Sequence, residues 1–512
     1  MTKDYKILKN SYYDSVTLMS TSVTLKKELG FKDLVMLMGT DMNKEMIQSV
    51  GLYHQDLDRA EPNDLILAAE FDKEIKDWAN VVVERLSAKT KKSDEKTLVY
   101  RTIHQAVDAI SPNIAVISVP GIYAAHEAYK ALEHGLHVML FSDNVSVEDE
   151  IQLKKIAVEK DLLVMGPDCG TAIIGGVGLC FANQVNRGSI GLVAASGTGL
   201  QEVTVIIDRF KGGITHAIGV GGRDLSEAVG GMMMLKGIDA LDQDLDTKVI
   251  VLISKPPHPT VLDKIMTRLK NISKPVVVCL LDSKQEVHIK NVHIVSNMTD
   301  AAIKALELTG LKTPDLTQID DGLLQMIKKE KALFAPKQSK IKGLFCGGTL
   351  TAEALSILRP FVTDLTSNVA KKEVEKMKNP LVSKGHNLVD LGDDIFTLGK
   401  PHPMIEPTIR LERILHEAKQ PETAVLLLDF ELGLGSHGDP IGVTLEALKE
   451  AKEIAKKDQR HLSIVAYVCG TDKDSQNLAS SEQRLKDLGV LVAKTNAHAA
   501  LIAAKLIEGV KS

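Results

Sequence analysis

The residues best suited to chemistry stand in short polar loops that follow apolar runs. Ser196, Gly197, Thr198 and Gly199 follow one such run, and Gly347, Gly348 and Thr349 follow another. A glycine-rich turn between a strand and a helix leaves backbone N–H groups unpaired at the positive helix end, and glycine lets a phosphate or carboxylate come close. The hydroxyls of Ser196, Thr198 and Thr349 add donors. A tight turn with a Ser or Thr cap is the plainer alternative for either one alone. Two matching turns in one chain favour an anionic ligand. Positive charge for it comes from Arg223, after Gly221 and Gly222, and from Lys255 in SKPP. An arginine can pair bidentately with a phosphate or a small dicarbonyl acid. Lys255, His402 in GKPHP and His437 in GSHGD are the candidate catalytic groups, the lysine for a developing oxyanion and the histidines as general acid or base. Asp168 and Cys169, in GPDCGTA, lie in a loop where a thiolate would meet substrate. Asp393, Asp394 and Asp439 carry oxygens that suit Mg²⁺, yet aspartate beside glycine is also turn chemistry, and no metal site is assigned.

The strands and helices that carry these loops form a series that occurs twice. The first copy runs IGLVAASGTGLQEV (190–203), HAIGVGGRDLSEA (216–228), KVIVLISKPPHPT (248–260) and KPVVVCLLDSK (274–284). The second runs KGLFCGGTLTAEAL (342–355), NLVDLGDDIF (387–396), TAVLLLDFELGLGSHGDP (423–440) and LSIVAYVCGTDKD (462–474). Unbroken apolar runs suit parallel strands covered on both faces, so each copy reads as an α/β domain and the pair implies one site at their junction. Ahead of them, residues 97–185 alternate strand and helix as a parallel unit. The first 90 or so residues read as a small α+β unit with strands over 13–20, KDLVMLMGT and DLILAAEF. The boundaries expected are 1–95, 96–186, 187–312 and 338–512, with the charged stretches at 89–96 and 328–342 as linkers.

Composition excludes several classes. With 512 residues and 44% hydrophobic content, the chain can bury three or four aliphatic cores. A net charge of −5 and no basic run interleaved with aromatics argue against nucleic-acid binding. No stretch approaches the roughly 18 apolar residues of a membrane helix, and no apolar signal segment leads the chain, so a soluble cytoplasmic protein is expected. The five cysteines are scattered without a CxxC pair and read as free thiols. Gly175, Gly176 and Gly178 lack the βαβ context of a dinucleotide loop.

From SDNVSVED (142–149) through GPDCGTAI, ASGTG and GGRD, the chain resembles the α subunit of succinyl-CoA synthetase, and GGTL, VDLGDD and ELGLGSHGDP resemble the C-terminal domain of its β subunit. The order of GPDCGTAI, ASGTG, GGRDLSE, ISKPP, LFCGGTL and GKPHP is most similar to the FdrA family of acyl-CoA-synthetase-like proteins. The resemblance implies an α/β fold: a Rossmann-like CoA-binding-type domain, two flavodoxin-like succinyl-CoA-synthetase-type domains and a small N-terminal α+β domain. The succinyl-CoA synthetase pattern is incomplete. No glycine-rich CoA turn precedes Asn113, no GHAGA phosphohistidine loop follows VCLLD, where His288 and His293 stand instead, and no segment has the length of an ATP-grasp domain. The FdrA resemblance implies the large subunit of a carbamoyl- or acyl-phosphate transferase of the oxamate carbamoyltransferase type, working with partner subunits in an oligomer. An acid-thiol ligase using CoA and a noncatalytic metabolite-sensing scaffold are the alternatives, with CoA and Mg²⁺ as the cofactors to consider.

Overall fold

The structure is a computed structural model that describes residues 2–11, 13, 18, 21–22, 25–26, 28–72, 75–90, 100–282, 289–397 and 401–510. Two compact units emerge, residues 1–99 with 394–406, and residues 100–393 with 407–512. The segment 394–406 therefore leaves the 338–512 domain in which the repeat pattern put it, because its contacts are with the N-terminal unit.

In the first unit, β1 (Thr2–Leu8), β2 (Asp33–Met38) and β3 (Leu65–Phe71) form an antiparallel sheet with β3 in the middle. The strand expected over 13–20 falls mostly outside the described residues, and β1 was not anticipated because its TKDYKIL pattern is polar at its start and largely exposed. One face of the sheet buries Phe31, Met36, Leu65, Leu67 and Trp78, the other Leu37, Ile47, Leu57 and Ile66. Asp64 anchors the turn before β3. Its carboxylate accepts from Lys9 Nζ at 2.7 Å, Asn10 N at 2.9 Å and Glu61 N at 2.8 Å, which holds its pKa down to about 2.

The second unit begins with a small parallel sheet of β4 (Ile114–Ile117), β5 (His137–Leu140) and β6 (Val164–Met165). Residues 171–180, which the expected 96–186 domain includes, form a hairpin of β7 (Thr171–Ile174) and β8 (Val177–Cys180), but β7 pairs antiparallel with β10 (Ile214–Gly219) of the next sheet, so the boundary near 186 does not divide the sheets. Gly175 and Gly176, both at positive φ, make the turn of that hairpin. The next sheet adds β9 (Arg187–Ala194), β10 (Ile214–Gly219), β11 (Val249–Ser254), β12 (Val276–Leu280) and β13 (Val292–Val295) in the order β13-β12-β11-β9-β10-β7-β8.

The second copy forms β14 (Lys340–Phe345), β15 (Leu365–Ser367), β16 (His386–Asp390), β17 (Thr423–Glu431), β18 (Ser463–Cys469) and β19 (Leu491–Ala493), ordered β15-β16-β14-β17-β18-β19. The central runs β12-β11-β9-β10 and β18-β17-β14-β16 have the same parallel topology, so the repeat seen in sequence is a repeat of fold. The two sheets share one core, which runs from Ile190, Val205 and Val277 through Leu350, Ala354 and Leu427 to Ala503. The charged stretch expected as a linker at 328–342 is instead the end of a helix, Asp321–Ala332, whose Ile327 is buried in that core, followed by β14. No helix among the described residues is long and apolar enough to cross a membrane.

Candidate functional site

The two glycine turns meet. Ser196 caps the Gly197–Arg209 helix, its Oγ accepting from Gly199 N at 2.9 Å, and the same Oγ donates to Thr349 Oγ1 in the first turn of the Gly348–Leu358 helix at 2.6 Å. A Cβ on Gly347 would lie 2.9 Å from Thr198 Cγ2, so the close approach of the turns requires glycine there. Both helix N-termini thus open on one small region at the strand ends, where their partial positive charges add.

Lys255 reaches this region because of chain topology. After β10 the chain crosses to β11 on the other side of β9, and the crevice at such a switch point lies beyond the C-terminal ends of the strands. Lys255 directly follows β11, and its Nζ would be 3.8 Å from a Cβ on Gly348. Its Nζ has no hydrogen-bond partner among the described residues, while its backbone carbonyl accepts from Ser254 Oγ. Burial lowers its pKa, while Asp390 and Asp393 pull it the other way. Lys371 stands close by, its Nζ donating to Pro256 O at 3.0 Å, and burial and then the charge of Lys255 lower its pKa.

Asp390, the last residue of β16, completes the wall. Its Oδ1 accepts from Gly392 N at 2.9 Å, and Asn368 grips its backbone on both sides at 2.9 Å. Its Oδ2 faces Gly348, 2.5 Å from where a Cβ would stand. Burial pushes its carboxyl up to about 7, with Asp429 and Asp393 adding and the Gly392 N–H and Lys255 opposing.

Beneath the second turn, Asp429 of β17 accepts from Cys346 N at 2.9 Å and Gly347 N at 3.1 Å, and buried Arg410 donates to it at 2.9 Å. Arg410 also donates to Cys346 Sγ at 3.1 Å and Leu344 O at 3.0 Å. Cys346, Asp429 and Glu431 offer ligand atoms within 4.8 Å of one another, the grouping of that kind among the described residues, but the Arg410 guanidinium already supplies the cation there. Burial drives the Cys346 and Glu431 side chains toward their neutral forms. The set does not suit a resident Mg²⁺. Asp439 is spent on capping Gly442 N and on a two-pronged pair with Arg484.

Other expected site residues fall into a second wall or elsewhere. Gly170 and Thr171 abut the first turn, a Cβ on Gly197 lying 3.2 Å from Thr171 Oγ1. Cys169 packs against Gly219, donates to Thr171 O at 3.4 Å and is pushed up to about 12 by burial, which corrects its reading as a thiolate. Asp168 is exposed at positive φ, its N–H donating to Ser142 O at 3.0 Å. Gly221, at φ +81°, presses on Pro167 O, and Gly222 faces open space. Arg223 is committed elsewhere: it pairs with Glu150 at 2.9 Å and donates to Val145 O at 2.8 Å, while buried Lys154 bridges Glu150 and Asp224. It joins two elements rather than supplying charge to the turns. His402 belongs to the unit of residues 1–99 and 394–406, accepts from Met404 N on Nδ1 at 3.2 Å and is lowered to about 4 by burial. His437 Nδ1 accepts from Asp439 N at 3.0 Å, a turn role, in a loop that packs on Ala182. His288 lies outside the described residues. An open cleft of about 530 Å³ between the Met232–Gln243 and Pro259–Leu269 helices, lined by Asp239, Lys264 and Arg268, contains none of these groups.

Asp390, Asn368, Lys371, Asp429 and Arg410 were not anticipated. Asp390 had a signal, a carboxylate ending the apolar strand HNLVD.

Comparison with known proteins follows the same architecture. The CoA-ligase family matches residues 344–506, the CoA binding domain residues 185–280, and the AllF heavy metal-associated domain residues 1–100, a segment that contains no cysteine. The α subunit 1 of succinate–CoA ligase [ADP-forming] from Archaeoglobus fulgidus is 26% identical over 183 residues, 35% of this chain, a match that spans 61% of that subunit. The dinucleotide forming acetyl-coenzyme A synthetase 1 of Ca. Korarchaeum cryptofilum, solved with phosphate and ADP, aligns over 80% of this chain and 84% of that one at 14% identity and a TM-score of 0.30, too distant to support an inference. Uncharacterized protein YahF of Escherichia coli (strain K12) is 45% identical over 503 residues, 97% of each chain. This chain therefore belongs to the family of YahF, and it has an α/β fold with matches to the CoA binding domain and the CoA-ligase family.

Proposed function

We propose that this chain is an acyl-group transferase that holds an acyl phosphate at the junction of its two repeat domains, with carbamoyl phosphate and an oxamate-like acid as the pair implied by the FdrA resemblance. The observation that carries this is the convergence of two glycine-rich helix starts on Lys255, whose ammonium has no hydrogen-bond partner among the described residues. Two N-termini, two hydroxyls and one ammonium suit a phosphate dianion, and the same donors stabilise charge that grows on the phosphate oxygen as the acyl bond breaks. The Ser196 to Thr349 hydrogen bond closes the junction directly, so a ligand takes over those hydroxyls as it enters. The chain acts in the cytoplasm with partner subunits that bring the acceptor.

The matched CoA-ligase and CoA binding domains favour a second reading, an acid-thiol ligase. The turn after β4 argues against CoA in the succinyl-CoA synthetase manner. Its glycine, Gly121, is pressed against Asp143 and Asn144 backbone atoms, which leaves no glycine-rich cradle for a diphosphate.

A thermal-shift panel with carbamoyl phosphate, acetyl phosphate, phosphate, oxamate, CoA and ATP separates these readings, since a ligand stabilises the state it binds by mass action. Stabilisation by the acyl phosphates that disappears in Lys255→Met supports the transferase. Stabilisation by CoA or ATP alone replaces it with the ligase.

A further inference from the structure

The buried acids of this unit use their oxygens differently, and Glu202 Oε2 and Glu431 Oε1 are left without a hydrogen-bond partner among the described residues, away from the two glycine turns' hydroxyls. Asp224, Asp429 and Glu353 spend their oxygens on backbone N–H groups or cationic and amide side chains of the fold. Asp390 spends only Oδ1, on Gly392 N, and is held rigidly by Asn368 while Oδ2 is turned toward the start of the Gly348–Leu358 helix beside Lys255. A carboxylate there opposes an incoming anion, whereas a carboxylic acid donates to it.

We propose that Asp390 is the proton-transfer residue of the junction, its Oδ2 holding a proton that it gives to the phosphate oxygen of a ligand bound between the two glycine turns. The proposal rests on the transferase reading and names the acid that reading requires. In the step, the acceptor's nucleophilic atom forms a bond to the acyl carbon and the bond from that carbon to the phosphate oxygen breaks. The electron pair stays on that oxygen, which takes the proton of Asp390, while the proton of the nucleophile returns to the Asp390 carboxylate. Acyl phosphate and protonated acceptor thus give acylated acceptor and hydrogen phosphate, with no other reactant.

The groups facing the carboxyl are Lys255 after β11, Asp393 and the Gly392 N–H after β16, and Asp429 on β17, with Lys371 next to Lys255. Burial outweighs Lys255 and leaves the group titrating near neutrality, where a proton can be given and recovered.

Sulfate serves as the probe because it carries no titrating proton at neutral pH. Its binding is followed calorimetrically at pH 8 in two buffers of different ionisation heat, for the wild type, Asp390→Asn and Lys255→Met. The expected result is uptake of close to one proton per sulfate in the wild type and none in Asp390→Asn, with wild-type affinity falling about tenfold per pH unit above 7. Asparagine keeps the shape and an oxygen for Gly392 N, and a melting curve for each variant checks folding. Sulfate binding in the wild type without proton uptake, or equal uptake in Asp390→Asn, overturns the assignment and leaves the transferase reading standing. No binding of sulfate or acetyl phosphate to the wild type overturns both.

Discussion

At the scale of single residues, the junction contrasts charges that are satisfied with one that is not. Lys255 is drawn out of water without a partner among the described residues, a cost tolerated where a ligand is to supply the counter-charge. Lys255→Met should leave the melting temperature unchanged or raise it while weakening phosphate binding by about tenfold to a hundredfold, the range of a charge-assisted hydrogen bond, measured by calorimetry. Arg410 is the opposite case. It is buried with Asp429 and beside Glu431, and its removal strands Asp429 among atoms that cannot solvate it. Arg410→Met should cost about 3–5 kcal/mol and lower the urea midpoint, and adding Asp429→Asn should recover part of the loss. Sequence made Lys255 visible because SKPP follows an apolar run. Arg410 was invisible because RLERILHEA reads as an ordinary amphipathic helix, and nothing local tells that its arginines, Arg410 and Arg413, are both buried.

At the scale of elements, the glycines of the turns differ in what they are for. A Cβ on Gly348 would meet Asp390 Oδ2 at 2.5 Å, whereas one on Gly222 would meet nothing within 4 Å. Gly348→Ala should therefore destabilise by about 1–3 kcal/mol and abolish stabilisation by phosphate. Gly222→Ala should change stability by less than about 0.5 kcal/mol, both read from chemical denaturation. The strands were legible because each is an apolar run closed by a polar turn: β9 to β12, β14 and β16 to β18 stand where the pattern put them. β15, β19 and β1 were not, being three residues long in two cases and polar at the start in the third. The Asp321–Ala332 helix passed for a linker because its lysines dominate the sequence, although Ile327 docks it on the shared core.

At the scale of the whole molecule, the two repeats are joined through buried acids as well as apolar side chains. Glu202 and Glu353 occupy the same place in their respective helices, and Asn496 contacts both: its N–H donates to Glu202 at 3.2 Å and its side-chain amide to Glu353 at 2.8 Å. Burial raises both pKa values, that of Glu353 to about 8 with Glu202 adding to it. The folded state then keeps a proton that the unfolded chain has lost, so stability falls as pH rises from about 4.5 to about 8 and levels off above. The buried imidazoles of His386 and His498, lowered to about 4, act in the reverse sense, costing stability as pH drops from 6.5. Glu353→Gln should flatten the decline of melting temperature between pH 6.5 and 8. The repeat, the parallel α/β architecture and the glycine turns were legible in the residues alone, because apolar periodicity and turn chemistry are local. That the turns face each other, that Lys255 and Asp390 flank them, and that Arg223 and Cys169 are committed elsewhere follows from the folded chain alone. Those outcomes depend on strand order and on burial, which bring together residues that are far apart in the chain.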